Sequence, residues 1–330
     1  MSKVLITGGA GFIGYHLANH LLANGHELTI VDNFSRGVKD PELETLTSDS
    51  RVEAITMDLL DPGAMDKLAD DYTYIFHLAA IIGVANVLNR PYSVLDDNVR
   101  LTTNMLKLAE RQKDLKRFMF ASTSEVYAGT LKYFSMEIPT PESTPLAITD
   151  LNHPRTSYML SKIYGEALCN QSPVPTTNFR PHNIYGPRMG MAHVVPELLK
   201  KCYEAGDSKT LEVFSVDHKR TFCYIQDSVE MLLLMAESDN CENETLNLGN
   251  QEPEIAIGDV ARIIIDTVGN PLEIIPQEAT AGSPTRRCPD MSKVTGLINY
   301  TAGTGLEEGI GKTFDWYKAT IFDAGGITAK

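Results

Sequence analysis

The chain has 330 residues, of which 43% are hydrophobic and 22% charged, and its formal net charge is −14 at pH 7. This length supports one large domain or two closely joined ones, and the acidic balance argues against nucleic acid or an anionic membrane as the main partner. The five cysteines are dispersed, with no C-x-x-C pair, which predicts reduced thiols, no disulfide framework and no metal site. No apolar run is long enough to span a bilayer, and the first predicted strand leaves no room for a signal peptide, so we expect a cytoplasmic protein.

The N-terminal stretch predicts a dinucleotide-binding turn. Residues 4–7 form a short, β-branched apolar run that indicates a buried strand, and an apolar pattern of helical period begins at Phe12. Between them Gly8, Gly11 and Gly14 have the spacing G-x-x-G-x-x-G. Glycine at these positions lets backbone N–H groups and the positive end of the helix approach a pyrophosphate.

The second predicted strand, residues 26–31, ends at Asp32. A carboxylate here accepts hydrogen bonds from both ribose hydroxyls and repels a 2′-phosphate, which favours NAD over NADP. The alternative is that Asp32 only caps the loop that follows. Arg36 is close enough in sequence to accept a 2′-phosphate and so to soften the preference. A polar loop is predicted from residue 33 to Ser50.

Two further strands are predicted before the middle of the chain. Residues 51–58 alternate in polarity, and the terminal Asp58 either meets the adenine edge or caps a helix near Pro62. Residues 74–80 form an apolar strand that ends in small residues, which permit close approach to a cofactor. His77 lies inside this run and is predicted to be a hydrogen-bonded core histidine rather than an acid–base group.

The remaining pattern alternates helices with strands. Predicted elements are a helix over 98–112, a buried strand over 118–124, a surface loop over 140–154, a helix over 157–169, a strand ending at 181, and helices near 194–205, 226–237, 257–268 and 307–317. This alternation predicts an α/β fold with a Rossmann-type doubly wound parallel sheet. We expect residues 1–180 to form the dinucleotide-binding domain and residues 181–330 mainly a smaller α/β substrate-binding lobe, with some segments returning to the first domain.

Tyr158 and Lys162 are four residues apart, so they share one face of a helix. A tyrosine serves as a general base when a nearby ammonium and the positive nicotinamide lower the pKa of its phenol from about 10. The strand before this helix ends in Ser122, Thr123 and Ser124. One of these hydroxyls would bond the substrate oxygen that Tyr158 deprotonates, while hydride leaves the same carbon for the nicotinamide.

These motifs together resemble the extended short-chain dehydrogenase/reductases of the NAD-dependent nucleotide-sugar epimerase, dehydratase and decarboxylase group. The segments that carry the resemblance occur in family order, and they are Thr7–Gly14, His77–Ala80, Thr123–Tyr127, Tyr158–Lys162 and Arg180–Arg188. The likeness continues to about Tyr317. It implies NAD as cofactor, a nucleotide-diphosphate sugar as substrate, and a homodimer formed through the helices over 98–112 and 157–169.

The expected site follows from the motifs and the resemblance together. The expected catalytic residues are Tyr158, Lys162, Thr123, Ser124 and Glu125. Besides Tyr158 and Lys162, the residues expected to contact the cofactor are Gly8, Gly11, Phe12, Ile13, Gly14, Asp32, Asn33, Asp58, Leu59, Leu78, Ala79, Ala80, Asn98 and Ser122. The resemblance implies substrate contacts at Asn183, Arg188, His193, Val194, Arg220 and Arg287, where the arginines would pair with phosphate oxygens.

The resemblance implies a common first step, in which Tyr158 takes the C4 hydroxyl proton and NAD⁺ takes the hydride, giving a 4-keto sugar. Return of the hydride to the other face gives a 4-epimerase, which needs little beyond Tyr158, Lys162 and a hydroxyl, and this is the function that we predict. The run Thr123-Ser124-Glu125 instead resembles UDP-glucuronate decarboxylases, as do residues 154–158 and Arg287, which makes decarboxylation the second interpretation.

Other outcomes stay open at this stage. Dehydratases of the group have the run Thr-Asp-Glu at this strand end, and this chain has Ser124 in place of the aspartate, which disfavours a 4,6-dehydratase. Another alternative is a 4-dehydrogenase, which would release the keto sugar. The non-enzymatic alternative is an NAD-binding regulatory protein, although such proteins commonly lose the Tyr/Lys pair. Residues 81–84 are bulky and apolar where they would face the sugar, which predicts an atypical substrate sugar, and residues 128–137 are an insertion relative to the decarboxylase pattern.

Overall fold

The computed structural model describes residues 1–279 and 283–325. In chain order its strands are β1 (Lys3–Thr7), β2 (Glu27–Asp32), β3 (Val52–Thr56), β4 (Tyr74–His77), β5 (Arg117–Ala121), β6 (Thr176–Pro181), β7 (Ile184–Tyr185), β8 (Thr210–Phe214), β9 (Lys219–Arg220), β10 (Cys223–Tyr224), β11 (Glu244–Leu248), β12 (Ile255–Ala256), β13 (Glu273–Gln277) and β14 (Arg286–Arg287). Its helices are α1 (Phe12–Ala23), α2 (Pro41–Thr47), α3 (Val84–Asn89), α4 (Pro91–Glu110), α5 (Ala128–Tyr133), α6 (Arg155–Gln171), α7 (Val194–Tyr203), α8 (Ile225–Glu237), α9 (Ile257–Val268), α10 (Ser292–Ile298) and α11 (Leu306–Tyr317).

The central sheet has seven strands in the order β11-β6-β5-β4-β1-β2-β3. Every neighbouring pair in it is parallel. Parallel strands need crossover connections, and here helices run between them and cover the sheet. The predicted α/β fold with a Rossmann-type doubly wound sheet is confirmed.

Strand β1 shows how the sheet divides the core into two layers. Val4, Leu5 and Ile6 are all fully buried. Because successive side chains point to opposite faces of a strand, Val4 and Ile6 join one hydrophobic cluster, with Leu17 of α1, while Leu5 joins the other, with Met105 of α4. A continuous apolar run is what a strand buried on both faces requires.

The strand order reverses at β1, because β2 and β3 are added on one side of it and β4 to β6 on the other. In open α/β sheets, ligands bind in the crevice at such a switch point, outside the carboxyl ends of the strands. Strand β11 lies at one edge of the same sheet, paired with β6, so residues 244–248 belong to it. Three small sheets, β7–β10, β9 with β12 and β14, and β8–β13, are built from the C-terminal half.

Several elements differ from the sequence-based prediction. Residues 41–47 form α2 inside a stretch predicted to be loop, because the Asp40 side chain accepts a hydrogen bond from the Leu43 N–H and Pro41 occupies the first turn. The helix expected near Pro62 is only a 3₁₀ turn, Ala64–Lys67, and α4 begins at Pro91 rather than near residue 98. Within residues 1–279 and 283–325, every helix is too short or too polar to cross a membrane.

Candidate active site

The glycine turn after β1 is shaped for close approach of a ligand. Gly8 has φ +73°, and a Cβ added to it would lie 2.9 Å from the Ala79 nitrogen. A Cβ at Gly14 would lie 2.3 Å from the Gly8 carbonyl oxygen, so the turn and the start of α1 pack backbone to backbone. Gly11 precedes the first helical residues, Phe12 and Ile13, and has no side chain to cap them. The exposed N–H groups of this helix end suit a pyrophosphate.

Asp32 lies at the end of β2, beside this turn. Its carboxylate accepts hydrogen bonds from the Ala10 N–H (3.0 Å) and the Phe34 N–H (2.8 Å), and burial raises its pKa. It therefore caps the following loop and also stands where a ribose would be expected. The Arg36 side chain lies near Gly83 and its charge acts on Tyr158. The guanidinium is therefore directed toward α6, the helix of Tyr158 and Lys162, which we call the catalytic helix.

Asn33 and Asp58 lie next to each other at the ends of β2 and β3. The Asn33 Nδ2 donates to Asp58 Oδ2 (3.1 Å), and Asp58 Oδ1 accepts from the Leu60 N–H (2.9 Å). Asp58 therefore caps a turn and also faces the Asn33 side chain, while Leu59 is buried in the core. The two roles considered for Asp58 are compatible in this geometry.

The residues after β4 approach the glycine turn. The Leu78 N–H donates to the Thr7 carbonyl (3.1 Å) and the Ala79 N–H to the Thr7 hydroxyl (3.3 Å), with Ala80 next in the chain. The same hydroxyl lies 2.8 Å from His77 Nδ1, and burial lowers the pKa of His77 to about 3. The prediction of a hydrogen-bonded, neutral core histidine is confirmed.

Asn98 fixes the segment that leaves β4. Its Oδ1 accepts from the Ile81 N–H (2.7 Å) and its Nδ2 donates to the Ile81 carbonyl (3.1 Å). Nδ2 also lies 3.3 Å from Ser161 Oγ on α6. Asn98 is thus hydrogen-bonded both to the loop after β4 and to α6. Its predicted contact with a cofactor would be made by a side chain that these bonds already hold in place.

Lys162 is 4% exposed, and its Nζ donates to the carbonyl of Ala121 at the end of β5 (2.7 Å). Nζ also lies 4.9 Å from the centroid of the Phe120 ring and 5.9 Å from that of Tyr158. Burial lowers the pKa of Lys162 to about 8. The ammonium is therefore held beside the Tyr158 ring in a site of low polarity, where a charge acts on its neighbours more strongly than in water.

Burial raises the pKa of Tyr158 to about 12, and a hydrogen bond from Thr123 partly opposes this rise. Of the hydroxyls considered from the sequence, Thr123 is thus the one beside the phenol. Ser122 is buried and donates instead to Glu166. Because the Ser122 hydroxyl is already bonded to Glu166, the predicted contact of Ser122 with the cofactor would have to come from its backbone atoms.

Ser124 and Glu125 meet an arginine from a distant part of the chain. Arg287 Nη2 donates to Glu125 Oε1 (2.8 Å), and Nη1 lies 3.5 Å from Ser124 Oγ. Arg287 is placed there because β14 pairs with β9, whose Arg220 is its register partner. The geometry joins an acidic and a basic side chain at the end of the strand that precedes the catalytic helix.

A cleft of about 550 Å³ opens beside this pair. Among the residues that line it are Glu125, Arg155, Asn183, Val194, Arg220 and Arg287. Arg220 Nη2 donates to Ser283 Oγ (2.9 Å) and to the Pro284 carbonyl (2.6 Å), and burial, followed by the charge of Arg287, lowers its pKa to about 10. Asn183 is held by a bond from its Nδ2 to the Thr221 carbonyl (2.9 Å). His193 is exposed just before Val194.

Arg188 lies apart from the other predicted substrate residues and does not line this cleft, so its substrate contact stays a prediction. It has φ +63° and turns toward α2, where Nη2 lies 2.6 Å from Asp40 Oδ2 and Nε 3.3 Å from Glu42 Oε2. Its guanidinium carbon also lies 3.9 Å from the centroid of the Tyr15 ring. This buried cation is neutralised by protein carboxylates and links the start of α2 to Tyr15 on α1.

The sequence analysis missed a buried ion pair below the site. Arg180 holds Glu166 with two bonds, Nε to Oε1 (2.8 Å) and Nη2 to Oε2 (2.7 Å), and Glu166 in turn accepts from Ser122. Glu166 follows Lys162 by four residues, so the helical spacing of Tyr158 and Lys162 extends to it. Among the described residues, no group of three His, Cys, Asp or Glu side chains is placed to hold a metal ion.

A glycine-cradled dinucleotide site with a Tyr/Lys pair at the carboxyl end of a parallel sheet defines a nicotinamide-dependent enzyme that transfers hydride. Comparison with known families agrees, since residues 4–249 match the model of the NAD dependent epimerase/dehydratase family. The chain belongs to this family, and NAD is its cofactor.

Known relatives extend the comparison over nearly the whole chain. A UDP-N-acetyl-alpha-D-glucosaminuronate decarboxylase of Bacillus cytotoxicus is 33% identical over 331 residues, covering 96% of this chain and 98% of that protein. UDP-glucuronic acid decarboxylase 1 of Xenopus tropicalis is 33% identical over 326 residues, covering 97% and 73%. The structure of UDP-glucuronic acid 4-epimerase from Bacillus cereus, in complex with UDP-glucuronic acid and NAD, matches with a TM-score of 0.81 and 26% identity, covering 96% and 99%.

Proposed function

We propose that this protein decarboxylates a nucleotide-linked uronic acid by way of a transient 4-keto sugar. The observation that carries the proposal is the contact between Glu125 and Arg287 (2.8 Å) in the wall of the cleft, where the charge of Glu125 also acts on Tyr158. An uncompensated Glu125 would repel a carboxylated sugar, and Arg287 offsets its charge. The names of the two relatives that are 33% identical also favour this reaction.

The first step uses the residues on α6 and at the end of β5. Tyr158, as phenolate, takes the proton of the C4 hydroxyl, with Thr123 hydrogen-bonded to the same oxygen and Lys162 stabilising the phenolate. When bound, NAD supplies the reversible removal and return of a hydride at C4. The glycine turn and Asp32 are the groups we propose to hold its pyrophosphate and ribose.

The second step follows from the position of the carboxylate, which is β to the new ketone. The C5–C6 bond breaks, its electron pair moves onto the C4 oxygen as an enolate, and carbon dioxide leaves. Glu125, held by Arg287, then relays a proton from solvent to C5. The overall change replaces the carboxylate by hydrogen, with one proton taken up and no net oxidation of the cofactor.

Arg155 is the residue we propose to attract the substrate carboxylate. It begins α6, lies one turn before Tyr158, and lines the same cleft. Within the described residues its side chain has no hydrogen-bond or ion-pair partner, whereas Arg287 is paired with Glu125 and Arg220 donates to carbonyl and hydroxyl oxygens. An unpaired guanidinium suits a carboxylate. We assign Arg220, Asn183, His193 and Val194 to the nucleotide diphosphate.

A 4-epimerase is the second candidate, because Tyr158, Lys162 and Thr123 alone provide the chemistry that it requires. The structural relative from Bacillus cereus is named as an epimerase of a uronic acid nucleotide. Such an enzyme would bind the same class of substrate in the same cleft. It would differ in retaining the carboxylate and in needing no Glu125–Arg287 pair.

The test is incubation of the purified protein and NAD with UDP-, GDP-, CDP- and dTDP-linked sugars and uronic acids, followed by mass spectrometry and proton NMR. Loss of carbon dioxide from a uronic acid supports decarboxylation. An unchanged mass with a new sugar signal would make the protein an epimerase, and loss of water a dehydratase. Accumulation of NADH would indicate a dehydrogenase, and no turnover despite NAD binding would favour a regulatory protein.

We also propose a homodimer in which α4 and α6 of each copy meet. The two helices pack side by side, and Tyr92 on α4 (79% exposed) and Tyr164 on α6 (48% exposed) present large apolar side chains to solvent. Light scattering of the purified protein tests this, and loss of the dimer is expected for Tyr164→Glu because the change would bury an unpaired charge.

A further inference from the structure

Asn247 lies on β11, outside the catalytic helix, and is completely buried. Its Oδ1 accepts a hydrogen bond from the Tyr127 hydroxyl (3.0 Å) and lies 3.1 Å from His182 Nε2. Its Nδ2 donates to the carbonyls of Thr140 (3.0 Å) and Asp290 (3.0 Å). Since an amide offers two acceptor positions and two donors, the hydrogen-bonding capacity of this side chain is fully used.

Two of the four partners of Asn247, Tyr127 and Asp290, belong to the two segments that carry the Glu125–Arg287 pair. Tyr127 ends the 3₁₀ turn Ser124–Tyr127, which contains Glu125. Asp290 follows Arg287 by three residues and lies between β14 and α10 in the chain. Thr140 fastens this second segment at two points, because its N–H donates to the Cys288 carbonyl (2.8 Å) and its carbonyl accepts from the Asp290 N–H (2.9 Å).

We propose that Asn247 is a positioning residue that sets the spacing between Glu125 and Arg287 by joining their two backbone segments through one side-chain amide. This inference rests on the proposed decarboxylation, in which that pair serves the second step. The pair itself is part-exposed, with side chains 44% and 24% accessible, so its own attraction holds it weakly. The rigid connection lies below it, in the core.

The surroundings of Asn247 support a fixed geometry. The Tyr127 hydroxyl also accepts from Arg180 Nη1 (2.7 Å), whose guanidinium is held by the buried carboxylate of Glu166. Burial lowers the pKa of His182 to about 3, so its ring is neutral and can present an N–H to Asn247. Asn247, Tyr127 and Arg180 have their buried polar groups hydrogen-bonded, whereas His182 Nδ1 has no partner among the described residues. Hydrogen-bonded buried networks rigidify their surroundings, and a misplacement of about 1 Å at a reacting group costs about 10²-fold in rate.

The experiment is a double-mutant cycle with Asn247→Leu, Arg287→Met and the double variant, measured with the NAD-loaded protein. NADH absorbance follows the first step in a single turnover, and carbon dioxide release follows the second. For Asn247→Leu we expect carbon dioxide release to fall about 10- to 100-fold, with NADH formation within about threefold of the wild type. In the Arg287→Met background, Asn247→Leu should cost less than about threefold more.

Multiplicative losses in the double variant, or an equal fall of both steps, would overturn the proposal, because a merely structural residue would act in that way. If Asn247→Leu does not fold, Tyr127→Phe removes one of the four bonds and is carried through the same cycle with the same expected non-additivity. If the wild type releases no carbon dioxide from any uronic acid, the proposed function is wrong. The cycle is then measured on the reaction that the wild type does perform, where independent losses would still overturn the role of Asn247.

Discussion

Replacing Lys162 by methionine is expected to stabilise the protein while removing its catalytic function. The ammonium is 4% exposed, and burial lowers its pKa to about 8 from its ordinary value of 10.5. This difference between the folded and unfolded chain corresponds to about 3 kcal/mol of destabilisation at neutral pH. Methionine fills a similar volume without a charge. Losing the bond to the Ala121 carbonyl costs about 1–2 kcal/mol, which leaves a net gain of about 1–2 kcal/mol in the free energy of unfolding.

The gain should depend on pH with a definite sign. Between a pH of about 8 and 10.5 the unfolded chain binds a proton that the folded protein has released, so the stability of the wild type rises with pH. The advantage of Lys162→Met should therefore be largest below pH 8 and shrink toward pH 10.5.

Urea unfolding of the cofactor-free protein across this pH range, followed by circular dichroism, measures the difference. Lys200→Met is the matched control, because that side chain is 49% accessible and its replacement should change stability by less than about 0.5 kcal/mol at any pH. A variant less stable than the wild type at neutral pH, or a difference that does not change with pH, would refute the reasoning.

Three further outcomes are expected. Glu125→Gln should lower carbon dioxide release by about 10²- to 10⁴-fold while changing the free energy of unfolding by less than about 1 kcal/mol, and steady-state rates within a few-fold of wild type would contradict its proposed role. Gly14→Ala should weaken NAD binding by at least about tenfold in calorimetry, because the added Cβ would lie 2.3 Å from the Gly8 oxygen, whereas Gly296→Ala has open space and should bind normally. Arg155→Met should raise KM for the uronic acid nucleotide about 10- to 100-fold and leave the inhibition constant of the corresponding neutral sugar nucleotide unchanged; Arg262→Met is the control, and an equal rise of both constants would argue against a carboxylate contact.

Local spacing made much of the fold and part of the site predictable. The glycine turn, Asp32 and the Tyr158–Lys162 pair are set by separations of a few residues, so strand and helix periods place them directly. The residues that the sequence could not pair are those joined by tertiary structure. Glu125 and Arg287 are 162 positions apart, and their contact depends on the pairing of two-residue strands.

The position of Arg188, away from the cleft, has a related cause. Its motif predicted a substrate contact, but φ +63° turns the residue toward Asp40 and Glu42. Those carboxylates lie at the start of α2, a helix that the polar composition of residues 33–50 concealed. The Asp-Pro pair at its start was the available signal, since aspartate caps helices and proline favours their first turn.

The place of β11 at the edge of the central sheet has a consequence for synthesis of the chain. The sheet lacks this strand until residues 244–248 have emerged from the ribosome, and until then β6 presents open backbone donors and acceptors. α8, which packs against α1, is also made late. The nascent N-terminal half therefore exposes this sheet edge and the surface of α1 until the later segments are made. A fragment cut after residue 180 should aggregate rather than fold.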